Sequence, residues 1–363
     1  MRPLLIISAV NITEGGALTI LDDCISSGIR NLSPKWRIVV LVNNRTLVRE
    51  SNAIVMSFPS AKKSWLCRLY WEWWGFKQIS MRIKPVFWLS LHDITPRVNS
   101  SYQAVYCHNP APFYGMSLKE IILEPRLFIF NKLYFFIYRL FIRRNKFIIV
   151  QQQWMREEFI RRLGKLPILV AHPKSETQLE EKGIFEKSEN IFLYPALPRV
   201  FKNIEVLCEA AKILTLQGIT NFEVRLTLSG NENTYAKWLF KKYNTILQIK
   251  FLGLIPRDSI VEQYKEATAL VFPSKLETWG LPISEAKAYN LPLLVTNQPY
   301  SKETVGNYDL ISFFPAENPK YLANLMSSII SRTWKPTGNS CSLPQKPFVS
   351  DWNKFWQFVT SDR

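Results

Sequence analysis

Apolar residues in this chain cluster in short continuous runs, not in strict alternation. "LLIISAV", "WRIVVLVNN", "AVYCHN" and "KFIIVQ" lie in the first half; "IFLYPA", "EVRLTLSG", "IKFLG", "TALVFPS" and "LPLLVTN" lie in the second. Helical patterns separate them. Strands that are apolar throughout are covered on both faces, and strands alternating with helices form parallel sheets. Two such series predict an α/β protein: two Rossmann-like, doubly wound parallel-sheet domains, with ligands at the carboxyl ends of the strands. The predicted domains are 1–171 and 172–345, divided at the polar stretch "HPKSETQLEEKGIFEKSEN". A Gly, Ser and Pro-rich connector then leads to "DWNKFWQFVT", so 346–363 is expected to be a terminal helix that docks back on the first domain.

Composition bounds the function classes. The chain has 363 residues and is 47% hydrophobic, enough for two packed cores. Its net charge of +17 is uneven: residues 1–175 hold 25 Lys and Arg against 10 Asp and Glu, and residues 176–363 hold 21 against 19. A basic first domain attracts a polyanion, whether nucleic acid, an anionic membrane surface or a phosphorylated substrate. Five cysteines without CxxC spacing fit a reducing, cytoplasmic setting. No run reaches the 18–20 uncharged apolar residues of a spanning helix. "MRPLLIISAV" reads as a buried first strand and not as a leader.

The stretch "LVFPSKLETWGLPISEA" (270–286) carries the most chemistry. Glu277 falls at the carboxyl end of a strand. Pro282 suits the first turn of a helix, and Glu285 lies about one turn inside it. A helix start offers free backbone N–H groups and a positive dipole end, which suit a diphosphate, and a nearby carboxylate can accept hydrogen bonds from sugar or ribose hydroxyls. The residues alone leave a plainer alternative open: Glu285 complementing the dipole and Glu277 solvated. Gly15 and Gly16 follow the first strand, where glycine permits close backbone approach. His108 ends the strand "AVYCHN"; His92 is the weaker histidine, Asp93 reads as a turn residue and His172 as linker.

In this order and spacing these segments resemble the retaining family-4 glycosyltransferases with the GT-B fold, including their E-x7-E signature. The resemblance rests on "LVFPSKLETWGLPISEA", on "FLGLIPRDSIVEQYKEATALVFPS" before it, on "LYPALPRVFKNIEVLCEAAKIL", on "LSGNEN" and on "AVNITEGGALTILDDCI". It implies two domains facing across a cleft, the first binding a glycan or polyprenol-diphosphate-linked acceptor. It implies that Glu285 binds ribose hydroxyls, that Glu277 contacts the donor sugar, and that Trp279, Gly280 and Leu281 face its sugar and phosphates, with Gly15 and Gly16 also on the donor. Lys202 would neutralise the leaving diphosphate, and His108 would contact the sugar. The family's arginine five or six residues before that lysine is absent; Leu197 and Ala196 stand there, and Arg199 is the nearby arginine. The implied donor is a UDP- or GDP-linked hexose acting as substrate, with no cofactor. No Asp-x-Asp occurs, which agrees with metal-independent catalysis. The implied role is transfer in surface polysaccharide synthesis of the O-antigen, lipopolysaccharide or capsule type.

Two further stretches bear on location. "KKSWLCRLYWEWWGFK" (62–77) is dense in aromatics, and in "RLFIFNKLYFFIYRLFIRRNK" (126–146) helical spacing puts Lys132, Arg139, Arg143 and Lys146 on one stripe. Such helices can lie in a membrane interface or cover a sheet. With the basic first domain they suggest a peripheral protein on the cytoplasmic face of the inner membrane. Two other classes stay open. One is a non-catalytic partner subunit of the same fold, motivated by the missing arginine. The other is a nucleic-acid binder, against which no helix-turn-helix, RRM or zinc pattern occurs.

Overall fold

The computed structural model describes residues 2–13, 16–33, 35–50, 52–173 and 190–361. The chain divides into two compact units: unit 1 holds 1–113, 131–174 and 344–363, and unit 2 holds 114–130 and 175–343. Gly15 and most of the polar stretch at the expected boundary lie outside the described residues.

Unit 1 contributes β1 (Leu4–Ala9), β2 (Arg37–Val42), β3 (Ile54–Ser57), β4 (Phe87–Ser90), β5 (Tyr102–Cys107), β6 (Phe147–Val150) and β7 (Ile168–Ala171). Unit 2 contributes β8 (Ile191–Tyr194), β9 (Glu223–Leu226), β10 (Ile249–Phe251), β11 (Ala269–Phe272), β12 (Leu293–Thr296) and β13 (Ile311–Phe314). The chain then adds β14 (Phe348–Val349) to the first sheet. The orders are β14-β7-β6-β5-β4-β1-β2-β3 and β10-β9-β8-β11-β12-β13, and every pairing is parallel. The expected pair of doubly wound sheets is therefore present.

Coverage on both faces explains why β1 is buried at every position. Leu5, Ile7 and Ala9 join the core under the helix Gly16–Leu32, while Leu4 and Ile6 join Phe76 and Trp88 on the other face. Strand order reverses between β1 and β4 in one sheet and between β8 and β11 in the other. Ligands of such sheets bind at those reversals, beyond the carboxyl ends of the strands.

The terminal segment forms the helix Trp352–Thr360, capped by Asp351, and it docks on the helix Gly16–Leu32 of unit 1. Trp356 is fully buried, and its indole N–H donates to the Cys24 carbonyl at 3.2 Å. Gly28 permits that approach, because a Cβ there would lie 3.1 Å from the Trp356 ring. Ser27 donates to Asn353 at 2.7 Å.

The basic stripe read from 126–146 is shorter than helical spacing implies. The helix Pro125–Arg139 ends before Phe141, which takes a left-handed φ of 62°. Arg143 instead donates to the Leu163 carbonyl, and Lys146 lies over the Tyr102 ring. Lys132, Leu133, Phe136 and Arg139 stay exposed on the helix. In 62–77, Trp71 packs into the core, while Leu66, Tyr70 and Trp74, spaced four apart, are exposed.

Candidate functional site

In unit 2 the two loops at the strand reversal meet. After β8 the chain makes a tight turn, Val200–Lys202, and Asn203 takes a left-handed φ of 54°. The Asn203 amide donates to the Pro273 and Ala316 carbonyls at 3.1 and 2.7 Å, which ties the loops after β8, β11 and β13 together. Tyr194 donates to the Lys202 carbonyl at 2.9 Å, and the Lys275 N–H donates to the Phe201 carbonyl at 2.7 Å. On this frame Lys202 Nζ reaches Glu277 Oε1 at 2.5 Å, in a largely buried ion pair. Charge-assisted contacts of that length hold both side chains in place.

After Glu277 the chain turns at Gly280, whose φ of 82° makes it the left-handed residue that opens the helix Leu281–Ala288. Pro282 sits in the first turn, as the sequence predicts, and the N-cap residue, Gly280, has no side chain to cap the helix. Glu285 lies one turn in, and Tyr264 donates to its carboxylate at 2.8 Å. The Tyr264 ring stacks on Tyr289 at 5.7 Å. Trp279 donates to Ser284 at 3.0 Å, and its carbonyl accepts from Thr304. The structure thus gathers Lys202, Glu277, Gly280, Leu281 and Glu285 around one helix start.

Gly280 gives a local prediction. A Cβ there would lie 3.3 Å from Phe272 and 3.4 Å from Ile283, and an L-residue at this φ is strained. Gly280→Ala is expected to lower stability by about 1–2 kcal/mol and to remodel the helix start. Thermal unfolding and nucleotide-sugar titration should both report it; unchanged binding would show that the turn conformation does not matter to the site.

Arg199 precedes the tight turn, and its Nε lies 2.9 Å from Glu124 Oε1. Lys275 stands 3.3 Å from both Glu120 and Glu317. Neither Glu120 nor Glu124 is legible as a site neighbour in the sequence. One local signal exists: "SLKE" at 117–120 is a capping box, and both of its hydrogen bonds form.

In unit 1 the loops after β4 and β5 bring His92, Asp93 and His108 together. Asp93 is a turn residue, with φ 69°, but it is also a buried hub. Its carboxylate accepts the His108 and Asn109 N–H groups at 2.7 and 3.1 Å and the Tyr134 and Tyr138 hydroxyls, each at 2.9 Å. His108 Nε2 stands 3.7 Å from it. Burial pushes the Asp93 pKa up, but His108, its N–H and the other donors outweigh that and hold it below the usual range. The rule that loops at a strand reversal carry ligands would have singled out this segment, since it follows β4. Gly16 opens the helix after β1.

Behind it, Glu72 Oε1 lies 3.2 Å from His92 Nδ1, both fully buried, and Arg68 donates to the His92 carbonyl at 2.8 Å. Burial raises Glu72 to about 8, with Arg68 opposing, and burial followed by Arg68 lowers His92 to about 3. Glu72 therefore contributes stability that is present below its usual pKa and lost as pH rises through about 8; His92 contributes stability lost as pH falls below its usual value. Between about pH 6.5 and 8 the Glu72 effect stands alone, so stability should fall by about 1 kcal/mol per pH unit. Denaturant unfolding of wild type and Glu72→Gln across that window checks this: the slope should vanish in the variant, and parallel curves would refute it.

A family profile described as "Glycosyl transferases group 1" matches residues 174–339. Over 151 residues the chain is 28% identical to O-antigen chain mannosyltransferase B of Escherichia coli; the aligned part is 40% of this chain and 38% of that protein. The fold is that of the apo lipopolysaccharide outer core galactosyltransferase WaaB, at a TM-score of 0.64, 15% identity and full coverage of both chains. Anabaena HepE in complex with UDP-glucose is also similar, at a TM-score of 0.59 and 14% identity, over 91% of this chain and 90% of that one.

Proposed function

We propose, from the match of residues 174–339 to the profile of glycosyl transferases group 1, that the protein is a retaining, metal-independent glycosyltransferase. It moves a hexose-type sugar from a nucleotide-sugar donor to a glycan or lipid-linked glycan in surface polysaccharide synthesis. The observation that carries the reading is the Lys202–Glu277 pair, set by the loops after β8 and β11 beside the open helix start that bears Glu285. The similarity to an O-antigen mannosyltransferase supports the polysaccharide class, and a neighbour of the same fold that holds UDP-glucose supports the donor type.

The chemistry follows from where charge develops. When the anomeric carbon–oxygen bond to the diphosphate breaks, negative charge grows on the phosphate and oxocarbenium character on the sugar. Lys202, Arg199 and the Leu281 N–H meet the first; Pro282 has no N–H and Ile283 donates to the Gly280 carbonyl. Glu277 orients the Lys202 ammonium and accepts from a sugar hydroxyl. Glu285, held by Tyr264, accepts from the ribose hydroxyls. In a front-face transfer the acceptor oxygen bonds the anomeric carbon on the face the phosphate leaves, and the acceptor proton passes to the departing phosphate oxygen.

The test is direct. Purified protein, a panel of UDP- and GDP-sugars and a lipid-linked acceptor should release one nucleoside diphosphate and form a product of retained anomeric configuration by NMR. No turnover with any donor, or an inverted product, would overturn the reading.

The same proposal places unit 1 on an anionic membrane. Leu66, Tyr70 and Trp74 present 80%, 56% and 52% of their surface, beside Lys62, Lys63 and Lys77. Trp65 meets Tyr134 edge-on at 5.8 Å, joining this face to the helix that exposes Lys132, Leu133, Phe136 and Arg139. Each basic residue near anionic lipid adds about 1 kcal/mol. Reversing Lys132 and Arg139 together should therefore cut sedimentation with anionic liposomes at least about ten-fold. Sedimentation insensitive to these changes would remove the membrane from the account.

A further inference from the structure

Two cations border the turn that carries Lys202, and each faces a carboxylate from one short segment of unit 2. Lys275 meets Glu120 and Arg199 meets Glu124. Both carboxylates are held before any ligand arrives. Glu120 accepts the Ser117 N–H at 2.7 Å and the Tyr114 hydroxyl at 2.6 Å. Glu124 ends the helix Leu118–Leu123, where Pro125 stops its continuation. Its other oxygen, Oε2, accepts the Val200 N–H at 2.9 Å. One carboxylate therefore fixes both the backbone of the phosphate-side turn and the side chain at its start.

The asymmetry of the pair indicates what it does. The Glu124 side chain is 10% exposed and that of Arg199 is 42% exposed, so the acid is the fixed partner and the arginine the one open to solvent. The contact is an ion pair at Nε, 2.9 Å long and without hydrogen-bond alignment, so it is the charge of Glu124 that holds the guanidinium. The two terminal amino groups, with four N–H donors, have no partner among the described residues. A guanidinium offers its donors as a rigid planar fork that matches phosphate oxygens. Arg199 and Lys202 stand at the two ends of one turn, which the Lys202 N–H closes on the Arg199 carbonyl at 2.8 Å.

We infer that Glu124 is a positioning residue: it holds Arg199 by its Nε so that the terminal amino groups of the guanidinium meet the diphosphate of the donor beside Lys202. The inference rests on the function proposed above. It also accounts for the residues at 196 and 197. Ala196 and Leu197 leave no cation five or six positions before Lys202, and Glu124 lets an arginine only three positions before it take that part.

The test uses Glu124→Gln, because glutamine still accepts the Val200 N–H and so spares the turn, while the charge that holds Arg199 is gone. Titration calorimetry of the full chain with UDP, GDP and inorganic pyrophosphate should show binding of the preferred nucleoside diphosphate weakened about ten-fold. Arg199→Ala should weaken it by a similar factor, and the double variant should be no weaker than Arg199→Ala alone, which a purely structural role would not produce. In ligand-free protein the Arg199 Nε–H signal, identified by its loss in Arg199→Ala, should move in Glu124→Gln. Unchanged binding, or additive effects in the double variant, would overturn the inference. Tighter binding would show instead that Glu124 competes with the diphosphate, and overturns it equally. Binding that Lys202→Ala weakens and Glu124→Gln leaves alone defeats this inference only. A wild-type chain that binds no nucleoside diphosphate defeats the proposed function with it.

Discussion

Lys202→Ala is expected to cut turnover about 10²- to 10³-fold while leaving the protein folded. Removing one preorganised donor from a developing oxyanion costs about that much, and Lys202 is the cation that Glu277 fixes at 2.5 Å. The loss should fall mainly on kcat, because charge on the diphosphate is greatest as the bond breaks. Stability should fall by about 1–3 kcal/mol, because Glu277 is left without its partner in a largely buried site, while the Asn203 amide still ties the loops. Lys202→Arg should recover activity only in part, because a guanidinium is wider and planar where the loops hold a point charge. Steady-state kinetics beside thermal unfolding separates these effects. A fall in KM-linked binding alone, with kcat intact, would mean that Lys202 serves ground-state binding.

The largest effect on stability belongs to the other unit. Trp356→Ala should destabilise unit 1 by about 3–5 kcal/mol, the range for emptying a large buried aromatic site. The indole is fully buried, packs against Phe355 and Trp352, and donates to the Cys24 carbonyl. Gly28 gives it room, so no neighbouring side chain stands ready to fill the space. Trp356→Phe should recover much of the loss but leave the Cys24 carbonyl without that donor. Denaturant unfolding checks both variants. A loss under about 1 kcal/mol would mean that the terminal helix merely rests on the sheet's helical cover.

The pattern of apolar runs is legible because strands covered on both faces need them. β1, β8 and β11 are buried at every position, and each was readable as a run. The helix start at 281 was readable too, from Pro282 and the glycine before it. Strand order was not, since parallel strands carry no mark of their neighbours. So the meeting of the loops after β8 and β11, which makes the Lys202–Glu277 pair, is decided by strand order and leaves no local mark in the chain. β3 is largely exposed and only four residues long, and lacks the signal of a covered strand. Asp93 reads as a turn because its backbone is one; its five contacts come from residues up to 45 positions away. Glu72 lies in an aromatic stretch whose buried face no period reveals, because the backbone widens there into a π turn at Trp71–Gly75. The grouping of 114–130 with unit 2, which brings Glu120 and Glu124 to the phosphate side, leaves no trace in composition.

The central claim is that unit 2 binds a nucleotide sugar through Glu285 at an open helix start. Equilibrium titration with UDP- and GDP-linked sugars tests it most directly, with wild type, Glu285→Ala and Tyr264→Phe compared. One donor should saturate the wild type at one per chain. Glu285→Ala should weaken it at least about ten-fold, Tyr264→Phe less, and inorganic pyrophosphate should bind all three alike. Equal donor affinity in wild type and Glu285→Ala, or no donor bound at all, would contradict the account.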